Sequence, residues 1–221
     1  MNKVLSWFCY IFLKPIVKLI WIKEVRGIEN IPKTNFILAA NHQSHWDQVT
    51  SAYLCVPRKF TYLGQIDKYF GFEGFLRNFF YFLAGVIPIH RYNEESKKKA
   101  MKECERRLKN GEILIMYPEG TRTKTGEIQE FKTGVAKLHL KTGVPILPVA
   151  TKGNFELMPI GKRFPKFKKI VRINVGKPLD FKREREMASF LSENSLEYKE
   201  ICEKITQTLR EEILRLFNQI Q

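Results

Sequence analysis

The chain has 221 residues, the size of one domain, and its 44% hydrophobic content is enough for a sizeable core. Lys and Arg number 38 against 23 Asp and Glu, a net charge of +15, which argues for an anionic partner without choosing between nucleic acid, an anionic lipid surface and a phosphate-bearing substrate. The four cysteines, at positions 9, 55, 104 and 202, form no CxxC pair, which excludes zinc-ribbon and dithiol redox readings and fits reduced, mostly buried thiols of a cytosolic compartment.

Residues 4–22 read VLSWFCYIFLKPIVKLIWI. A signal peptide is a poor match, because Lys3 alone is a weak positive start and no small-residue cleavage site follows. Lys14, Pro15 and Lys18 interrupt the apolar run before it reaches spanning length. Lys14 and Lys18 share one helix face, with Trp7, Tyr10 and Trp21 as interface residues. The pattern predicts a helix lying in a membrane surface; the alternative is an amphipathic helix docked on the domain.

Val25 to Pro32 reads as a short edge strand and turn. The run Phe36-Ile37-Leu38-Ala39-Ala40 suits a buried strand, and a helical pattern follows from about Trp46 to Cys55, broken by Pro57. Lys59 to Leu63 is the next strand. Residues 68–83, KYFGFEGFLRNFFYFL, form a broken helical pattern with aromatic residues at 72, 75, 79, 80 and 82. Core packing is one account of them; a membrane-facing or lipid-chain-lining surface is the other. Gly85 to Ile89 is a short strand ending in His90-Arg91. Asn93 caps a helix, with Glu94 and Glu95 in its first turn, that runs to about Lys109 and stops at Asn110-Gly111. Ile113 to Met116 is a buried-type strand that delivers Tyr117-Pro118-Glu119-Gly120-Thr121-Arg122-Thr123. A helix near Val135 to Lys141 is closed by Gly143, and Val144 to Val149 is a strand. Lys162 to Lys169 is basic and proline-punctuated, and Lys169 to Val175 alternates as a half-solvated strand would, with Val171, Ile173 and Val175 on one face. The tail is helical, and its stripe of Ile201, Ile205, Leu209, Ile213 and Leu216 predicts a cover for the sheet. Strands alternating with helices give a single-domain α/β fold, a mixed and largely parallel sheet flanked by helices. Residues 1–24 form its N-terminal amphipathic, membrane-associating segment, and 25–221 the remaining domain.

Asn41-His42-Gln43-Ser44-His45-Trp46-Asp47 lies where the strand 36–40 turns into a helix. Ligands of open α/β sheets bind outside the carboxyl ends of strands, and two of the chain's four histidines are here. A neutral imidazole at His42 takes a proton from an alcohol, while the Asp47 carboxylate fixes its tautomer and stabilises the imidazolium. The spacing from 42 to 47 does not stack the two on one helix face, but it works with His42 on the loop and Asp47 in the first helical turn. A polar cap with a structural histidine is the bland alternative. Glu119, Gly120, Thr121 and Arg122 directly follow a strand: arginine offers a donor fork to phosphate oxygens, glycine admits close backbone approach, and Thr121 adds a hydroxyl. Glu119, ionised, orients Arg122 or a substrate hydroxyl. A polar turn held by an ion pair is the alternative here. Arg91, ending another strand, is a second candidate phosphate contact.

Other chemistries match poorly. The chain has no GxxxxGK[ST] loop, no GxGxxG and no GxSxG elbow, although Ser44 between the two histidines remains a candidate nucleophile. His42, His45, Asp47 and His90 are metal-ligand types without metal-site spacing, so no metal is expected.

Asn41 to Asp47 resembles the HxxxxD block of the glycerolipid acyltransferase superfamily. Three further blocks agree in order and spacing: Gly85 to Arg91 resembles the second, Tyr117 to Thr123 the third (normally FPEGTRS), and Val144 to Val149 the fourth. The set is most similar to the bacterial 1-acyl-glycerol-3-phosphate acyltransferases, which make phosphatidic acid. Tyr117 replaces the usual phenylalanine, Thr123 the usual serine, and His90 a frequently acidic residue. The resemblance implies acyl transfer, without a further cofactor, from acyl-CoA or acyl-carrier protein to a lysophospholipid hydroxyl. His42 is then the general base, oriented by Asp47, and an imidazole's ordinary pKa of about 6.5 suits that role. Arg91, Glu119, Gly120, Thr121 and Arg122 hold the acceptor phosphate, Phe72, Phe75, Phe79 and Phe80 line an acyl groove, and the protein sits peripherally or monotopically on the cytoplasmic face of an anionic membrane. A nucleic-acid-binding protein rests on charge alone, with no supporting motif, and nucleic acid is not expected as a partner. A membrane scaffold would be indifferent to His42 and Asp47. A thioester hydrolase would use water in place of the acceptor hydroxyl.

Overall fold

A computed structural model describes residues 3–65, 85–90, 92–162 and 164–221. Its centre is a seven-stranded sheet of β1 (Ile22–Arg26), β2 (Ile37–Ala40), β3 (Phe60–Gln65), β4 (Ile87–Ile89), β5 (Ile113–Met116), β6 (Ile146–Lys152) and β7 (Val171–Val175). The spatial order is β1-β7-β6-β2-β5-β3-β4. β6, β2, β5, β3 and β4 are mutually parallel; β7 pairs antiparallel to β6, and β1 pairs parallel to β7 at the edge. β2 lies between β5 and β6, with Ile37 opposite Leu114 on one side and Ile146 on the other. All four of its residues are buried, which is why its sequence is apolar on both faces.

Helices cover both faces. On one side lie α1 (Lys3–Phe8), a π-helical turn (Cys9–Leu13), α2 (Lys14–Ile20) and α3 (Asp47–Cys55). Val17, Tyr53 and Leu54 pack there on Phe36, Leu38, Ile115 and Leu147. On the other side lie α4 (Glu94–Lys109), α5 (Gly134–Thr142) and α8 (Leu196–Asn218), packed on Ile37, Ala39, Leu114 and Ile146. The described residues also include two short helices, α6 (Asn154–Leu157) and α7 (Lys182–Ala188), and a 3-10 turn (Ile28–Asn30).

Local chemistry sets the helix ends. The Asn93 side chain accepts the Ser96 N–H at 2.8 Å, and Ser195 accepts the Tyr198 N–H at 3.2 Å. Gly143 ends α5 at φ +68°, a conformation that favours glycine. The α8 stripe is buried throughout, each such side chain worth about 1.5–3 kcal/mol, so this face belongs to the core.

Two expectations need correction. The first strand begins at Ile22, three residues earlier than the pattern around Val25 indicates, because Trp21 and Ile22 are core residues. β7 is not half-solvated: Val171, Ile173 and Val175 are buried as expected, but Asn174 is buried too and donates to the Leu216 carbonyl at 3.1 Å. The end of α8 covers that face and supplies the acceptor a polar residue needs.

Candidate active site

β2 ends at Ala40, and Asn41 fixes where the chain leaves the sheet. Its Nδ2 donates to the Thr151 carbonyl at 2.9 Å, and its Oδ1 accepts the Thr151 N–H at 2.8 Å. His42 is then held by its backbone on both sides. Its N–H donates to Glu119 Oε1 at 2.6 Å, and its carbonyl accepts the Thr123 N–H at 2.9 Å. The loop after β5 therefore grips the histidine from the neighbouring strand.

The ring of His42 lies 4.2 Å from that of Tyr117, nearly parallel at 11°. Its Nδ1 is 2.8 Å from Asp47 Oδ2. The carboxylate only accepts, so Nδ1 carries the hydrogen and Nε2 keeps its lone pair. The Asp47 side chain is 1% exposed and that of His42 12%. A buried carboxylate requires donors. Asp47 Oδ2 also accepts the Gln43 and Ser44 N–H groups at 2.6 and 2.7 Å, and Oδ1 accepts Asn154 Nδ2 at 2.7 Å. Asn154, on α6, also bonds Thr50 Oγ1. The Tyr117 hydroxyl pairs with Ser51 Oγ at 3.1 Å, and burial, with the nearby Asp47 charge, holds its pKa well above the ordinary value. This pairing accounts for a tyrosine where phenylalanine is usual: the added hydroxyl has a partner.

Glu119 is buried, with Oε1 on the His42 N–H and Oε2 on the Gln129 N–H at 3.1 Å. Burial pushes its pKa up to about 7. Both of its carboxylate oxygens hold backbone N–H groups, one of them that of His42. Gly120 has φ +71°, and the Lys132 side chain lies across it, with Nζ 3.0 Å from where a Cβ would stand. Thr121 is exposed and Arg122 half-buried, and Arg122 has no ion-pair partner among the described residues. Arg91, Phe72, Phe75, Phe79 and Phe80 lie outside the described residues.

Ser44 is not a free nucleophile. It is buried, and its hydroxyl donates to the Met158 carbonyl at 2.8 Å while accepting the Trp46 N–H at 3.0 Å. Among the described residues, no three His, Cys, Asp or Glu side chains are grouped to hold a metal ion.

A mostly apolar cavity of about 280 Å³ opens beside His42, with Leu63, Ile89, Met101, Met116 and Val135 on its walls and Gly120 and Lys132 at its polar side. Sequence reasoning missed Lys132 and Asn154. Nothing local marks Lys132. Asn154 had one faint signal, the polar turn Lys152-Gly153-Asn154 after a strand.

A histidine held by a buried carboxylate at the carboxyl end of a parallel strand, beside an apolar cavity, is the arrangement of an α/β enzyme site. The chain belongs to the acyltransferase family, whose model matches residues 23–152. It is 32% identical over 158 residues to the chloroplastic 1-acyl-sn-glycerol-3-phosphate acyltransferase BAT2 of Brassica napus, covering 71% of this chain and 44% of that protein. It is also 32% identical over 134 residues to the 1-acyl-sn-glycerol-3-phosphate acyltransferase of Pseudomonas aeruginosa, covering 58% of this chain and 48% of that protein. The match thus spans less than half the length of these two relatives. The crystal structure of the 1-acyl-sn-glycerophosphate (LPA) acyltransferase PlsC from Thermotoga maritima superposes with a TM-score of 0.65 at 28% identity, covering 96% of this chain and 80% of that chain.

Proposed function

We propose that the protein transfers a fatty acyl group from acyl-CoA or acyl-carrier protein to the free hydroxyl of 1-acyl-glycerol-3-phosphate, giving phosphatidic acid. The observation that carries this is the 2.8 Å bond from His42 Nδ1 to Asp47 beside an apolar cavity. His42 Nε2 takes the acceptor's hydroxyl proton as its oxygen attacks the thioester carbonyl. Asp47 stabilises the imidazolium. The tetrahedral oxyanion collapses, the C–S bond breaks, and the proton passes from Nε2 to the leaving sulfur. No acyl-enzyme forms, and the chemistry needs no cofactor. The donor chain lies in the cavity, and Arg122, Thr121 and the Gly120 backbone, with Arg91, hold the acceptor phosphate. Names of the relatives support this acceptor.

The test is a panel of purified protein with acyl-CoA and acyl-carrier-protein donors against lysophosphatidic acid, lysophosphatidylcholine, monoacylglycerol and water, with products identified by mass. Release of free fatty acid with no lipid ester would establish a hydrolase instead. Arg122→Ala is expected to raise the lysophosphatidic acid KM by about 10–100-fold, the worth of one charge-assisted hydrogen bond. Equal loss with monoacylglycerol would remove Arg122 from the phosphate site.

The site works at a bilayer surface in this reading. No helix among the described residues is long and apolar enough to cross a membrane. The N-terminal helix nevertheless leaves Val4, Trp7, Phe8, Ile11, Phe12 and Leu19 exposed, an unusual apolar concentration. In this reading the protein attaches peripherally or monotopically to an anionic cytoplasmic leaflet, with lysines and arginines near the surface each adding about 1 kcal/mol. Deleting residues 1–22 would also remove core residues Val17 and Trp21, so substitution is the cleaner test. Phe8→Ser/Ile11→Ser/Phe12→Ser should lose most co-sedimentation with phosphatidylglycerol vesicles at high salt and keep its melting temperature. Unchanged partition would remove the helix from the anchor.

A further inference from the structure

A second apolar recess lies on the sheet face opposite the His42 cavity. Leu63 and Met116 line the first and pack with α4 and α5, whereas Phe60 and Tyr62 floor the second and pack with α3. Its walls are the N-terminal helix, through Leu13, Ile16 and Val17, and α3, through Val49, Ala52 and Tyr53. Its volume is about 450 Å³, within the range of small-molecule sites. It starts at Trp46 and Gln48, the residues on either side of Asp47.

We propose that this groove holds the acyl chain already present on the acceptor. The inference rests on the acyltransferase reading. A product with two chains on neighbouring glycerol carbons is best served by two apolar paths converging on one base, and among the described residues the His42 cavity supplies one. The two recesses approach the catalytic loop from opposite faces of the sheet, so the chains need not compete for space.

Three observations select the occupant. Two of the groove's polar groups are engaged within the protein: the Lys14 ammonium lies over the Tyr53 ring at 4.7 Å and the Tyr10 ring at 5.3 Å, and the Tyr62 hydroxyl donates to the Gln48 carbonyl. The remaining lining favours hydrocarbon. At the catalytic end, the buried indole N–H of Trp46 has no acceptor among the described residues, and an ester carbonyl at the head of a chain would provide one. Along its side, the groove is walled by Leu13 and Ile16, both of which are largely exposed, so the groove is open there. A chain embedded in a leaflet reaches it sideways without crossing water, which suits a lipid acceptor rather than a donor delivered on a soluble carrier.

Ala52→Phe fills the groove. Its kcat/KM with 1-palmitoyl-glycerol-3-phosphate in mixed micelles should fall by about tenfold, the usual scale of a steric misfit, and the loss should shrink stepwise as the acceptor chain is shortened to hexanoyl. Preference for donor chain length should stay as in the wild type. The same loss at every acceptor length, or a changed donor preference, would overturn the inference. A second measurement needs no variant. 1-Acyl-glycerol-3-phosphate carrying a diazirine near its chain end, irradiated with the wild-type protein, should label residues 13–17 or 49–56. Label on Met101 or Val135, or an unlabelled protein that still converts the probe, would place the chain elsewhere. A probe that is bound but never acylated would remove the acyltransferase reading, and this inference with it.

Discussion

Alanine at His42 is expected to lower kcat by about 10³–10⁴-fold, the upper range of what a positioned general base supplies. Stability should change little. The lost ring is stacked on Tyr117 and bonded to Asp47, but Asp47 keeps the Gln43 and Ser44 N–H groups and Asn154 Nδ2 as donors. No buried charge is left bare. The loop also keeps its backbone anchors to Glu119 and Thr123, because neither involves the imidazole. The pair of measurements is single-turnover acyl transfer and thermal melting. A variant that melts like the wild type and turns over within tenfold of it would show that His42 is not the base.

Asp47 separates orientation from charge, because its two replacements leave different groups unsatisfied. Asparagine keeps an oxygen where Oδ2 stands, and this oxygen still accepts His42 Nδ1–H and the two backbone donors. Its new amide faces Asn154, whose own oxygen has no partner among the described residues and becomes an acceptor on a flip of that side chain. The imidazole tautomer survives, and the losses are the charge opposite the imidazolium and the Asn154–Thr50 hydrogen bond that the flip breaks. Asp47→Asn should therefore cost about 10²–10³-fold in kcat, less than the loss seen where a triad carboxamide enforces the wrong tautomer. Alanine strands four donors in the interior. It should cost about 3–5 kcal/mol and lower the melting temperature by about 10 °C for a chain of this size, besides abolishing activity. Equal melting of the two variants would show that the carboxylate does not organise the loop.

The parts of this fold that sequence revealed are those with local causes. Asn93 caps because its side chain reaches an N–H three residues on, Gly143 closes a helix because its φ is positive, and the α8 stripe repeats because one helix face is buried. The dyad was legible because a polar cluster interrupts an apolar strand at its carboxyl end. What sequence did not reveal depends on contacts between distant segments. Glu119 lies 77 positions from the histidine whose backbone it holds, and Asn154 lies 107 positions from the carboxylate it donates to. No period or spacing encodes such a pairing. Ser44 reads as reactive from its neighbours, and only the fold turns its hydroxyl onto the Met158 carbonyl. The alternation in β7 misleads for a related reason: a polar residue such as Asn174 looks the same in sequence whether water or a helix end satisfies it.

Only Trp21 separates the N-terminal helix from β1, and its carbonyl accepts the Val171 N–H at 2.9 Å as though already part of the sheet. At the other end, Ser6 Oγ donates to the Arg58 carbonyl at 3.0 Å. The helix is a keel fixed to the hull, with no hinge between them. Whatever surface its outer flank rests on meets His42 at one set angle and one set height. A tethered catalyst must search through tilts and rotations on each visit to a surface; here that search was completed when the chain folded.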